Sequence, residues 1–149
     1  MTKQALKGIT MLVIIISLAF ITAVVTANAQ STSRLKAQVP FEFMVGDQKL
    51  PAGTYNISPL LGQTDAGIIL KNAKSSAAAM RLTTNIVGRA PQTKLVFHKY
   101  ANRYYLAEVW DATEVGRQLR TSTSEKAMER ELARNNSEPE TVTIIASLR

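Results

Sequence analysis

Residues 95–110, LVFHKYANRYYLAEVW, constrain the fold more than any other stretch of the chain. Two runs rich in β-branched and aromatic residues, Leu95 to Tyr100 and Tyr104 to Trp110, flank Ala101-Asn102-Arg103. Such residues suit a pleated, half-buried surface, and a short polar break between two of these runs suits a hairpin turn. The pattern predicts an antiparallel hairpin with a three-residue turn, its register set by pairing Tyr100 with Tyr104. One face then carries Leu95, Phe97, Lys99, Tyr105, Ala107 and Val109. The other carries Val96, His98, Tyr100, Tyr104, Leu106, Glu108 and Trp110.

The flanking sequence extends this β pattern in both directions. In VPFEFMVGDQKLPAGTYNI, residues 39–57, the apolar Val39, Phe41, Phe43 and Val45 alternate with Pro40, Glu42 and Met44. That is the period of a strand with one apolar face. Gly46-Asp47 and Leu50-Pro51-Ala52-Gly53 are turn signals, since proline presets φ and glycine accepts positive φ. Tyr55 and Ile57 then resume one face, so the stretch reads as two strands with a shaped connection, a fold signature and not a site. Gly67 to Lys71 reads as a third strand. Ala77 to Val87 reads as a fourth, with Met80, Leu82 and Thr84 sharing a face. Asp111 to Leu119 reads as irregular. Ser122 and Glu125 form a capping-box pair that opens a helix near 123–135, with Met128 and Leu132 on one side and a stop at Asn135 to Pro139. Thr141 to Ala146 reads as a last strand pairing back into the sheet. The sum is a mainly β fold, an antiparallel β-sandwich or small barrel of about seven strands with one late α-helix.

The first thirty residues follow different rules. Lys3 and Lys7 precede a low-polarity run over 8–25, which ends in Ala27-Asn28-Ala29. A positive start, an apolar run and a small-x-small site make a signal peptide, here an N-terminal apolar helix over 1–29. The expected organisation is signal peptide 1–29, flexible leader 30–36 and a single β-rich domain over 37–149. The product is then exported, periplasmic or secreted. The run is also close to bilayer-spanning length, so the alternative is a domain anchored to the inner membrane by residues 8–25. Membrane contact is expected only in that case. Removing residues 1–29 takes Lys3 and Lys7 from the 18 Lys and Arg and nothing from the 11 Asp and Glu, leaving about +5. There is no cysteine, which excludes disulfides, thiolate metal sites and cysteine nucleophiles. Arg81, Arg89, Lys94, Lys99, Arg103, Arg117 and Arg120 are scattered, so nucleic acid is not an expected partner.

The blocks VPFEFMVGDQKLPAGTYNI, TKLVFHKYANRYYLAEVW, GRQL and SEKAMERELAR together resemble a group of small exported proteins of soil bacteria, acidobacteria among them. The resemblance spans most of 37–135. It implies export and a β-rich fold, and it carries no activity or site residue.

Chemistry is sparse. His98 is the only histidine, so a multi-histidine metal site is excluded and any Ser-His-Asp triad would have to use it. No G-x-S-x-G elbow or phosphate-cradling glycine loop occurs. Carboxylate pairs for hydrolysis could be drawn from Glu42, Asp47, Asp65, Glu108 and Asp111 only by arbitrary choice. No cofactor is expected. The reading favoured is a non-catalytic binding or scaffolding module; the alternative is a small hydrolase acting on envelope or extracellular polymers. The ligand-binding candidates are His98, Tyr100, Tyr104, Glu108 and Trp110, which share the second face of the hairpin in the expected register. Aromatic rings with a few polar groups suit a small ligand or glycan; an envelope protein is the other expected partner. The same pairs also stabilise a hairpin that binds nothing.

Overall fold

A computed structural model describes residues 35–60 and 67–148. In chain order the strands are β1 (Leu35–Val39), β2 (Phe43–Val45), β3 (Gln48–Leu50), β4 (Gly53–Pro59), β5 (Gly67–Asn72) and β6 (Ala78–Val87). They continue as β7 (Thr93–Tyr100), β8 (Arg103–Asp111) and β9 (Val115–Leu119); then come helix α1 (Thr123–Arg134) and β10 (Glu140–Leu148). Eight of the strands close on themselves in the order β8-β7-β10-β1-β4-β5-β6-β9, with β9 returning to β8. The fold is a closed antiparallel barrel, which decides between the two architectures that the alternation allowed.

The inward residues of these strands fill the barrel. Tyr55, Leu70, Leu95 and Phe97 are 0% exposed and Ala37, Val39, Ile57 and Ile68 are 1%. An eight-stranded barrel is about wide enough to be filled by its own side chains. Each large aliphatic or aromatic side chain buried here contributes roughly 1.5–3 kcal/mol. What remains empty at the end formed by Leu35, Ile57, Ile68 and Val109 is a cleft of about 40 Å³, room for water and little else.

The opposite end is closed by the chain itself. The alternation across 39–45 persists, with Val39, Phe43 and Val45 at 1–2% exposure, but it does not form one strand. Pro40 lacks an N–H and belongs to no strand. The chain bends there, and the β2–β3 hairpin folds over the barrel end. Phe43 enters the core, its ring centroid 5.2 Å from Tyr55 and 5.4 Å from Phe97, both edge-on. Gly46 makes the hairpin turn at φ +65°, and a Cβ there would collide with the Arg81 guanidinium. The Gln48 carboxamide donates to the Ala78 carbonyl at 2.6 Å. The Tyr55 hydroxyl donates to the Pro51 carbonyl at 2.6 Å, fixing the Pro51–Gly53 corner. The quoted block is therefore a plug and its hinges.

Several expectations are corrected. β9 lies in the span expected to be irregular, and it closes the barrel by pairing with Thr83–Val87 of β6 and Glu108–Trp110 of β8. Met80 and Leu82 share a face as expected, but it is the outer one, 62% and 58% exposed, while Ala79 and Thr83 point in. β1 begins at Leu35, inside the stretch expected to be leader, and Leu35 pairs with both Ile57 and Leu148. The rest of the leader and the expected signal peptide lie outside the described residues. Among the described residues no helix is long and apolar enough to cross a membrane. The last strand does pair back: β10 joins β7 through Glu140–Ile145 and β1 through Ala146–Leu148.

α1 starts and stops as the sequence indicates. The Ser122 hydroxyl accepts from the Glu125 N–H at 3.1 Å. At the other end Asn136 turns to φ +51° and the Ser137 N–H donates back to the Leu132 carbonyl at 3.1 Å. Its most buried residue is not Met128 or Leu132, both half-buried, but Glu125 at 5% exposure.

Candidate functional site

The β7–β8 hairpin turns through two residues, with Tyr100 opposite Arg103 and Ala101 at φ +52°. Toward the turn His98 faces Tyr105 and Phe97 faces Leu106; beyond it Val96 faces Glu108 and Lys94 faces Trp110. Ala107 is the extra residue of a β-bulge between these two registers. The expected register therefore holds for Glu108 and Trp110 and is off by one nearer the turn. A slip of one residue reverses the face. His98, Tyr100, Glu108 and Trp110 do lie on one outer face. Tyr104 does not: it lies on the other face, stacked on Phe41 with centroids 3.9 Å apart. Tyr105 takes its place.

That outer face is covered from within the chain at both ends. α1 lies over the turn end. The Glu125 carboxylate sits 3.1 Å from His98 Nδ1 and accepts from the Tyr100 hydroxyl at 3.5 Å. Hydrogen bonding to Glu125, opposed by burial and helped by the charges of Glu125, Glu108 and Glu129, raises the His98 pKa. Burial first, then the nearby carboxylates, raises that of Tyr100. Tyr100 is 0% exposed. At the far end Trp110 is packed with Ala90, Val96 and Ile86. Its ring rests on backbone: a Cβ would come within 2.8 Å of it at Gly88 and 2.6 Å at Gly116. Its indole N–H donates to Glu108 at 2.8 Å, and Lys94 Nζ stands 5.8 Å from the ring. The aromatic face works chiefly as a second packing surface.

An open concavity lies beside it, at the plugged end. A groove of about 270 Å³ runs between the β2–β3 hairpin and the β7–β8 turn. Glu42 and Lys49, paired at 2.7 Å, stand on one side. Asn102 and Arg103 come from the turn, and Tyr104 and Tyr105 of β8 also border it. Ser124, at the start of α1, also borders it. Asp47 ties this wall together, accepting from the Ser124 hydroxyl at 2.8 Å and its N–H at 3.3 Å. Those bonds, the hydroxyl first, lower the Asp47 pKa, and a carboxylate there also suits the positive end of the helix.

Tyr105 is the unusual member. The residue is 1% exposed, and its buried hydroxyl has no hydrogen-bond partner among the described residues. A buried polar group left unsatisfied costs roughly 1–3 kcal/mol, so such groups call for an explanation. Sequence reasoning missed Tyr105 as a site residue because the bulge at Ala107 decides which tyrosine of the doublet points outward. Among the described residues no group of three or more His, Asp or Glu side chains is placed to hold a metal ion. No protein-family model, curated protein or solved structure matches the chain.

Proposed function

We propose that this chain is an exported, non-catalytic binding module of the periplasm or cell exterior, whose recognition surface is the groove at the plugged end of the barrel. The observation that carries the reading is the open groove of about 270 Å³, bordered by Glu42, Lys49, Asn102, Arg103 and Tyr104. The barrel interior is occupied by side chains, which supports recognition on the rim over transport inside. The positive start, apolar run and Ala27-Asn28-Ala29 site support export; retention of residues 8–25 would make it a module tethered to the inner membrane. A hydrolase would need His98 or a carboxylate pair. Its histidine version finds less support, since His98 is held against Glu125 and the hydroxyls of Ser122 and Ser124 bond each other at 3.0 Å.

The test is backbone-amide NMR of residues 30–149 during addition of fractionated envelope and medium extracts. Saturable shifts confined to residues 42–49 and 102–105 are expected. Shifts centred elsewhere, or none with any fraction, overturn the reading. The mass of the protein recovered from an exporting host separates cleavage after Ala29 from an intact membrane anchor.

A further inference from the structure

Charge is spread unevenly over the outside of the barrel. Five consecutive strands, β10-β1-β4-β5-β6, carry no carboxylate on their outer face among the described residues. The described carboxylates sit on the plug, on β8 and the turn after it, and from α1 to the first residue of β10. That residue, Glu140, alternates in step with the inward Val142 and Ile144 and pairs with Lys99 of β7 at 2.8 Å. Asp65 lies outside the described residues.

The register sorts this face into rows. Lys36, Asn56, Lys71 and Ala78 lie side by side across β1, β4, β5 and β6. The next outward row holds Ser58, Ile69 and Met80, and Leu82 follows Met80 on the same face. Neither Lys36 nor Lys71 has an ion-pair partner among the described residues. Lys74, in the turn after β5, adds another exposed cation. Single exposed apolar residues are ordinary. Here Met80 and Leu82, 62% and 58% exposed, adjoin a row of cations that no carboxylate neutralises.

The two rows select among occupants. A barrel wall is convex, so it encloses no small molecule. A soluble polyanion would engage the lysines and gain nothing from Met80 and Leu82. A second copy would cover the apolar pair but set lysines against lysines. An anionic lipid surface uses both rows. Its negative potential attracts the lysines, whose flexible stems let the ammonium groups reach the headgroups. Met80, Leu82 and Ile69 then enter the boundary between headgroups and acyl chains.

We propose that the β4-β5-β6 face of the barrel docks on a membrane surface rich in anionic phospholipid. The folded domain itself then contacts the membrane, whether or not residues 8–25 are retained, and this reading is independent of the groove.

The test is cosedimentation of residues 30–149 with vesicles of phosphatidylcholine alone and of phosphatidylcholine mixed with phosphatidylglycerol. Binding to the mixed vesicles, weakened by added salt, is expected. Lys36→Gln combined with Lys71→Gln should weaken it about 25-fold, at about fivefold for each lysine near an anionic surface. Met80→Ser combined with Leu82→Ser should also weaken it and leave Tm unchanged, since both side chains stand outside the core. Lys126→Gln removes the same charge from an exposed position on α1 and should change little. Binding that Lys126→Gln weakens as much as Lys71→Gln overturns the proposal, because net charge alone then accounts for it. Absence of binding to the mixed vesicles overturns it as well. Uptake of dextran sulfate without vesicle binding, or a dimer dissolved by the Met80→Ser and Leu82→Ser pair, would then name the occupant instead.

Discussion

Replacing His98 with alanine should loosen the hold of the barrel on the start of α1. Glu125 is 5% exposed and its carboxylate lies 3.1 Å from His98 Nδ1. Removing the imidazole leaves that carboxylate with the Tyr100 hydroxyl at 3.5 Å. The His98 side chain is itself 35% exposed, so the Coulombic part of the pair is screened and most of the loss comes from stranding Glu125. The expected cost is about 2 kcal/mol, or a fall of roughly 8 °C in Tm for a domain of this size. The sign of the pH dependence follows from the raised His98 pKa. The folded protein holds the proton more tightly than the unfolded chain. The contribution is therefore complete below the ordinary imidazole value of 6.5 and is lost as pH rises through the higher native value. Glu125 and Glu129 from α1 and Glu108 from β8 all act in this direction. Melting curves of wild type and His98→Ala should differ most near about pH 5.5, and the gap should narrow toward about pH 9. Because the chain has one histidine, its imidazole resonances report the pair without ambiguity, and Glu125→Gln should return the titration toward the ordinary range. A wild-type histidine titrating below that range, or a stability gap that does not change with pH, would refute the reasoning.

Two further changes probe the packing on which the fold depends. Gly116→Ala puts a Cβ 2.6 Å from the Trp110 ring, so it should cost roughly 1–3 kcal/mol and shift the emission of the only tryptophan to the red; unchanged emission and melting would remove Gly116 from the cradle. Tyr55→Phe deletes the 2.6 Å bond to the Pro51 carbonyl and should cost about 1 kcal/mol, read as a lower denaturation midpoint with an unchanged slope; equal midpoints would show that the corner holds without it.

The hairpin shows how far the sequence could be read. Alternation placed Glu108 and Trp110 on the face with His98 because the register beyond the bulge matches the simple pairing. It misplaced Tyr104 because nothing in YYLAEVW announces that Ala107 will be skipped. An alanine fits either a bulge or a pleat. β9 was missed for a related reason. In VGRQL, Gly116 lies flat under Trp110, Gln118 faces solvent and Leu119 is buried, so little alternation survives. The segment is a strand because β6 and β8 lie on either side of it. The groove was hidden as well. Glu42 and Lys49 are unremarkable surface residues until the bend at Pro40 sets the β2–β3 hairpin beside the β7–β8 turn.

Local chemistry was enough to determine the β-rich class, the turns at Gly46 and Pro51, both ends of α1 and the return of the last strand. Each depends on φ preferences, capping and the period of apolar residues, all of which act within a few positions along the chain. Closure into a barrel, the plug at its end, the burial of Glu125 against His98 and the choice of Tyr105 over Tyr104 were decided only in three dimensions. Those outcomes depend on which segments far apart in the chain are packed together, and a periodic pattern specifies a face without specifying what will cover it.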